Sequence, residues 1–394
     1  PLGGGDPGCL PGSWIMNRTS AVTRLKLTGF RNYAWLDLVL DARPVCLFGP
    51  NGAGKTNLVE AVSFLGPGRG LRAAGSDAVR QRGAGGEAPV WAVHAEAETA
   101  DGPVTLATGA DPDNPARRKT RLEGVATTQT QLARLFPMIW LTPREDRLWA
   151  GPRSDRLRFF DRLVLAGEPG HGTQANAYDR AMRERQRLLE RMDEGLSVDL
   201  SWLDALETKM AEAGTAMARA RLAALNALQS EINDRPASAF PKADLALSGY
   251  LEGLLIEDEA AAQTRFAARL KDTRRKDGAA GRALTGPHRT ELEARHREKD
   301  QVAADCSTGE QKALLLGLAL AHGAALARER GAAPVMIFDE ACAHLDIHRR
   351  EGLASAIAAI GCQAWLTGVE KGLFEAFGEG VQYVSVEAGK AVRG

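Results

Sequence analysis

The segment that most constrains this chain lies at residues 44–57. A continuous apolar run, PVCLF, feeds straight into GPNGAGKTN. Gly49, Gly54, Lys55 and Thr56 satisfy the spacing G-x-x-x-x-G-K-[ST], and the stretch that follows, NLVEAVSFL, is compatible with a helix. A buried strand, a glycine loop and a helix in that order are the context a phosphate-binding loop requires. Gly52 and Gly54 let the backbone curl so that successive N–H groups face an anion, and the helix N-terminus adds its positive dipole. The expected ATP contacts are therefore Gly49, Pro50, Asn51, Gly52, Ala53, Gly54, Lys55, Thr56 and Asn57. Lys55 is expected to reach the β- and γ-phosphates, and the Thr56 hydroxyl to ligate Mg2+.

A second apolar run, PVMIF at 334–338, ends in Asp339–Glu340. Alone, an acidic pair after such a run caps the next element. In a chain that also carries a phosphate loop, Asp339 is the expected Mg2+ ligand. Glu340, the next residue, is placed to take a proton from an attacking water. Lys55, Asp339 and Glu340 form the predicted catalytic set.

Around these anchors the patterning alternates between two characters. VTRLKLTGF (22–30) and AWLDLVL (34–40) alternate apolar and polar residues, as half-buried strands do, with RNY between them. Further strands are predicted near 90–97, 103–108, 117–123, 138–141, 363–368 and 381–386. From about 154 to 236 glycine becomes sparse, and Ala, Leu, Arg and Glu recur at helical spacing. One helix is predicted over about 174–193 and a second runs to about 233, broken apart by DEGLSVD. Trp202, Leu206, Met210, Ala213 and Met217 form an apolar stripe on the second. The pair reads as an antiparallel hairpin, either packed on the core or projecting as an arm. A third, basic helical stretch covers 258–277, and helices are expected at 308–328 and 346–359. The organisation is an α/β head in two parts, 16–150 and 281–394, interrupted by a mainly helical insertion at 151–280. Residues 1–15, rich in Gly and Pro, read as a disordered leader or non-native extension.

Composition narrows the class. No run approaches the roughly 18 apolar residues that span a bilayer, so no membrane association is expected. Five cysteines without a C-x-x-C pair read as free thiols, which points to the cytoplasm. The formal net charge is zero, so any contact with nucleic acid has to come from a local patch. RLKDTRRK (269–276) and RRK (117–119) are the densest basic clusters, each readable as a DNA contact or as a solvated face.

The segment CSTGEQKALLLG (306–317) opens a helix, with Ser307 and Glu310 spaced as a capping box. Together, GPNGAGKT, STGEQK and IFDEACAHLD resemble the Walker A, signature, Walker B and D-loop motifs of the ABC ATPase superfamily. The long helical stretch between the first two motifs is similar to the SMC-like ATPases of chromosome maintenance and DNA repair. LKLTGFRNYAWLDL, GKTNLVEAVSFLGPGRGLR, LTPREDRLWAGPRSDRLRFFDRL and TGPHRTEL resemble, in order, segments of the RecF family.

The resemblance implies an ABC/SMC-like P-loop ATPase head, a mixed sheet with flanking helices, carrying an inserted helical second domain. It implies a weak, DNA-stimulated ATPase of recombinational repair, replication restart and the SOS response. ATP would join two copies, with Ser307 and Gly309 of one meeting the γ-phosphate held by the other, and Asp346 touching the partner's phosphate loop. The implied partners are double-stranded DNA, single/double-strand junctions and the mediator proteins RecO and RecR. By the same resemblance Arg31 and Asn32 lie beside the nucleotide; otherwise they are an ion-paired hairpin turn. Arg69 and Arg72 read as phosphate or DNA contacts, or as surface solvation. The chain departs from the family pattern at Glu310, where Gln is common, and at Asp339–Glu340 in place of two aspartates. It also has Thr367–Gly368 in place of a Thr pair, Thr367 being the expected γ-phosphate sensor. No Q-loop glutamine precedes the insertion, and Glu145 and Asp146 are the candidates for that role. A transporter ATPase subunit and a small-molecule P-loop kinase are the competing readings.

Overall fold

The computed structural model of the chain describes residues 18–83, 86–87 and 90–394. The leader at 1–15, with Cys9, lies outside the described residues. The remaining four cysteines are free and buried.

Two sheets sandwich the phosphate-loop helix. The first is antiparallel and contains β1 (Ala21–Phe30), β2 (Tyr33–Val39), β4 (Ala92–Thr99), β5 (Gly102–Asp111) and β6 (Asn114–Leu122), in which β3 (Val45–Phe48) and helix α1 (Lys55–Ser63) do not take part. Its order is β6-β5-β4-β1-β2, with a two-residue strand at Val125–Ala126 on the outer edge. After β7 (Met138–Leu141) come the helices α2 (Arg153–Gly167), α3 (His171–Asp193) and α4 (Leu200–Asp234). Strand β8 (Ala243–Ser248), helix α5 (Ala262–Asp272) and strand β9 (Glu291–His296) follow. The chain then builds helix α6 (Thr308–Arg330), β10 (Val335–Phe338), α7 (Ile347–Ile360), β11 (Ala364–Gly368), β12 (Gln382–Glu387) and β13 (Lys390–Arg393). The second sheet runs β7-β10-β11-β3-β12-β13, parallel except for the last strand.

The unbroken apolar runs now have their reason. A parallel strand covered on both faces has no polar side to show. Val45, Leu47, Val335, Ile337 and Trp365 face α1 and the antiparallel sheet. Their neighbours Cys46, Met336, Phe338, Ala364 and Leu366 face the opposite core, built around α6. That second core explains why α6 is buried nearly all round, from Ala313 to Ala321.

The insertion has a core of its own, where Tyr178, Leu206, Met210, Ala213, Met217 and Phe266 meet. The predicted hairpin is present as α3 packed along α4. Trp202, counted in the predicted stripe, is 42% exposed, and the first buried position is Leu203 instead. It sits in the first turn of α4, before the stripe reaches its partners, with the Lys209 ammonium over its ring. The pair β8–β9, part of a three-stranded sheet, was not anticipated from the sequence. Each strand is only six residues long, and β9 (ELEARH) hides three buried positions among charged ones.

Helix α4 continues from the insertion core into the head, where Leu225, Leu228 and Ile232 join the α6 core. Two buried arginines secure this passage. Arg221 grips Asp161 of α2 with both forks, at 2.7 and 2.9 Å, and also donates to the Pro287 carbonyl. Arg185 bridges Glu207 at 2.9 Å and Asp277 at 2.8 Å. Breaking either pair from one side leaves an uncompensated buried charge, which costs far more than the pair contributes.

His322 on α6 is buried and its Nε2 donates to the Leu163 carbonyl at 3.0 Å. Burial pulls its pKa down from 6.5 to about 4. The unfolded chain therefore binds a proton that the folded one refuses in the window from about 4 to 6.5. The resulting stability is complete above the upper bound and is lost as pH falls through the window. Denaturant melts recorded across it are expected to show rising stability with pH, and His322→Gln is expected to flatten that slope.

Candidate functional site

Glycine is required at two points of the phosphate loop for different reasons. Gly49 has φ +146°, and a Cβ there would lie 2.1 Å from the Val386 carbonyl oxygen of β12. Gly54 has φ +117°, and a Cβ there would collide with the Asn32 amide at 2.4 Å. The loop is thus pressed between a strand of its own sheet and the turn joining β1 to β2.

That turn is the clasp. Asn32 Nδ2 donates to the Ala53 carbonyl at 3.0 Å, and the buried Tyr33 hydroxyl donates to the Gly54 carbonyl at 3.1 Å. Gly389, in the β12–β13 turn, adds an N–H to the Ala53 carbonyl at 3.2 Å. With its carbonyls drawn backwards, the loop keeps its N–H groups on the other side. Phe30 anchors the turn in an edge-to-face trio with Phe64 and Trp91, at centroid distances of 5.5 to 5.8 Å.

Arg31, at φ +54°, turns to α1. Its guanidinium makes a fork to the buried Glu60 carboxylate at 2.8 and 2.7 Å and a third bond to the Ala78 carbonyl. Arg72 reaches Glu60 at 3.5 Å and the Asn57 Oδ1 at 3.1 Å, and Asn57 Nδ2 donates to Asn32 at 2.8 Å. Arg31 therefore matches the ion-paired turn, while Asn32 and Asn57 meet at the loop itself. Glu60 and Tyr33 were not singled out in the sequence. A carboxylate inside an otherwise apolar helix, VEAV, is the one local signal that pointed to Glu60.

Lys55 lies across the loop, its ammonium donating to the Gly49 carbonyl at 2.6 Å and the Pro50 carbonyl at 2.9 Å. Burial lowers its pKa, opposed by the nearby charges of Glu340 and Asp339. Strand β10 delivers Asp339 to the same place. One oxygen of its buried carboxylate accepts from Thr56 at 3.1 Å and from Thr367 at 2.8 Å. Burial raises the Asp339 pKa, and these two hydroxyls oppose the rise. Thr367 also accepts the Glu340 N–H at 2.8 Å. A second threonine has no room at Gly368, where a Cβ would stand 2.8 Å from the Phe374 ring.

Glu340 is exposed and left-handed, at φ +54°, a strain of about 1–3 kcal/mol that persists only where the surroundings over-determine it. The Lys312 ammonium, 3.5 Å from its carbonyl, is one such restraint and also pairs with Asp146 at 3.3 Å. Glu145 is committed elsewhere, to Thr142 at 2.6 Å and Arg162 at 3.2 Å.

Ser307, Gly309 and Asp346 gather on an exposed face at the starts of α6 and α7. The capping box is present, and the Glu310 carboxylate accepts both the N–H and the hydroxyl of Ser307 at 2.9 and 2.8 Å. Lys299 pairs with Glu310, and with the Ser307 bonds holds its pKa down at about 2. Asp346 caps α7 by accepting the Arg349 N–H at 2.8 Å, and the Arg349 side chain reaches toward Gly309. The basic clusters are partly spent. Arg118 lies over the Phe64 ring and Lys119 pairs with Asp111 at 2.7 Å, while Arg274 and Lys271 pair with Asp204.

Residues 21–391 match the model of the RecF/RecN/SMC N-terminal domain. Over 368 residues the chain is 49% identical to the DNA replication and repair protein RecF of Caulobacter sp. (strain K31), covering 90% of this chain and 94% of that one. This chain belongs to the RecF family. The RecF of Agrobacterium fabrum is 46% identical over 378 residues, covering 95% and 99%. A solved structure of the recombination mediator protein RecF with ATP, 18% identical, superposes with a TM-score of 0.81 over 95% of this chain and 98% of that one. The Smc head domain from Pyrococcus furiosus, also 18% identical, gives 0.51 over 95% and 96%. These two likenesses concern the fold. Membership of the RecF family removes the basis for the transporter and kinase readings.

Glu60 holds two arginines behind the loop. Glu60→Gln is expected to cost about 2 kcal/mol in a denaturant melt, below the roughly 3–5 kcal/mol of a fully buried pair because Arg31 keeps some solvent. Hydrogen exchange is expected to quicken across residues 49–57.

Proposed function

We infer that this chain is an ATP-dependent DNA-binding protein of recombinational repair and replication restart, working in the cytoplasm as an ATP-gated homodimer. The observation that carries the reading is the junction at Asp339, where the phosphate loop, through Thr56, and β11, through Thr367, share one buried carboxylate. Nothing in the fold itself needs a carboxylate there, and burial works against its charge.

The donor set fits Mg2+, a hard cation that takes oxygen ligands. Thr56 and Asp339 would hold it, and when bound it neutralises charge on the phosphates. Lys55 exchanges its two carbonyls for phosphate oxygens, a trade of neutral for charge-assisted hydrogen bonds. Glu340 takes the proton from the attacking water, its carboxylate aimed by the strained backbone that Thr367 and Lys312 restrain.

The exposed start of α6 supports closure by a second copy, because a helix N-terminus is an anion site that here faces outwards. Glu310 puts a carboxylate beside that anion, and Lys299 offsets its charge. Ser307, Gly309 and Asp346 then act in trans, and hydrolysis opens the dimer. RecF relatives carry the name of a DNA replication and repair protein, and a RecF structure is placed in the RecFOR pathway. Duplex DNA, strand junctions and the mediators RecO and RecR are the partners that follow. Arg117, Arg118, Arg269, Arg275 and Lys276 are the members of the two basic clusters without an ion pair among the described residues, and of these Arg118 and Arg269 lie over aromatic rings.

Size-exclusion chromatography with and without ATP and duplex DNA separates the roles. Glu340→Gln is expected to bind ATP, lose about 100-fold or more in turnover and elute as a trapped dimer. Ser307→Arg is expected to bind ATP as a monomer. A Ser307→Arg protein that dimerises with ATP overturns the shared site. Duplex affinity is expected to rise with ATP and to fall steeply with salt, as phosphate contacts require.

A further inference from the structure

A large cleft takes no part in this chemistry. It has a volume of about 990 Å3 and lies between the segment after α1, the segment after β7 and the start of α3. That size is at the upper end of the roughly 300–1,000 Å3 of concave ligand sites. Its floor is apolar, lined by Met138, Trp140, Leu148, Phe159 and Leu165. Its rim is arginine.

The charges of the cleft divide unevenly. Each lining carboxylate already has a cation: Glu145 has Arg162, Asp155 has Arg158, and Asp161 has Arg221. Arg69, Arg144 and Arg147 are exposed and have no carboxylate partner among the described residues. Three unpaired guanidinium groups therefore stand over an apolar trough.

We propose that this cleft docks an acidic peptide segment of a partner protein, its apolar side chains in the trough and its carboxylates on Arg69, Arg144 and Arg147. The apolar floor decides between polyanions. A nucleic-acid backbone is polar along its length and leaves the half-buried Leu165 and Ala175 uncovered. A peptide with alternating acidic and apolar residues satisfies both surfaces at once, and guanidinium groups pair with carboxylates in two-pronged fashion. The cleft is also well placed to report on nucleotide. Residues 67–73 continue from α1, and Asp146, in the segment bearing Arg144 and Arg147, pairs with Lys312 of the signature helix. A segment docked there touches a stretch that continues from α1 and a stretch paired to α6, outside the predicted ATP site itself. Reciprocal coupling between the two is then a thermodynamic requirement wherever ATP moves either segment.

The test uses the full chain and a fluorescent peptide that alternates Asp with Phe and Leu. A Lys-for-Asp version of the peptide and a labelled DNA duplex serve as comparison probes, all read by anisotropy. The acidic peptide is expected to bind, the basic one to fail, and the double variant Arg144→Glu/Arg147→Glu to weaken the acidic peptide by about tenfold or more. Leu165→Asp, which wets the half-buried part of the trough and leaves the rim intact, is expected to weaken it as well. Circular dichroism melts and unchanged ATP binding confirm that the variants are folded. Equal peptide affinity in wild type and the double variant overturns the proposal. So does loss of duplex binding alone, which makes the rim a nucleic-acid contact.

Discussion

A phosphate loop works only if its N–H groups point at the anion, and that requires something behind the loop to take its carbonyls. In this chain the task falls to residues far away in sequence. Asn32, Tyr33 and Gly389 hold the carbonyls of Ala53 and Gly54, while Val386 closes over Gly49. The antiparallel sheet and the end of the parallel sheet must both be in place before the loop acquires its shape. Helix α1, which carries Thr56 and Glu60, is then fixed between them, and Thr56 finds Asp339. Each later feature of the site inherits its position from this bracing.

The bracing also explains the turn between β1 and β2. Four successive residues divide three tasks: Phe30 packs, Arg31 pairs with Glu60, and Asn32 and Tyr33 donate hydrogen bonds to the loop carbonyls. The arginine is consumed by the fold, and its charge is balanced by a carboxylate that has no solvent at all. Substituting Lys for Arg31 would keep the charge and lose the fork, since an ammonium cannot make two parallel bonds to one carboxylate.

How much of this could be read in advance depended on range. The loop, the Asp339–Glu340 pair and the capping box at Ser307 are local patterns, and they stand where the spacing put them. The central parallel strands were legible as apolar runs because both of their faces are covered. What local pattern could not supply is pairing between distant residues. Nothing within ten residues of Glu60 announces Arg31, and nothing near Ala53 announces Gly389. Trp202 failed for the reverse reason: helical period places a side chain on a face but does not say where along the helix the partner begins. The strands β8 and β9 went unseen because six residues with charges on one face carry little signal beside long helices.

The insertion is tied to the site by one element. Helix α4 spans 35 residues, about 52 Å at 1.5 Å per residue, and its two ends belong to different cores. One end lines the insertion with Leu206 and Met210; the other packs Leu225, Leu228 and Ile232 against the signature helix α6. Arg221, on the same helix, locks onto Asp161 of α2. A continuous helix curves gently and kinks sharply only where its hydrogen-bond ladder is interrupted. Helix α4 therefore joins the insertion core to the α6 core in one continuous element, with Arg221 holding it to α2 between them.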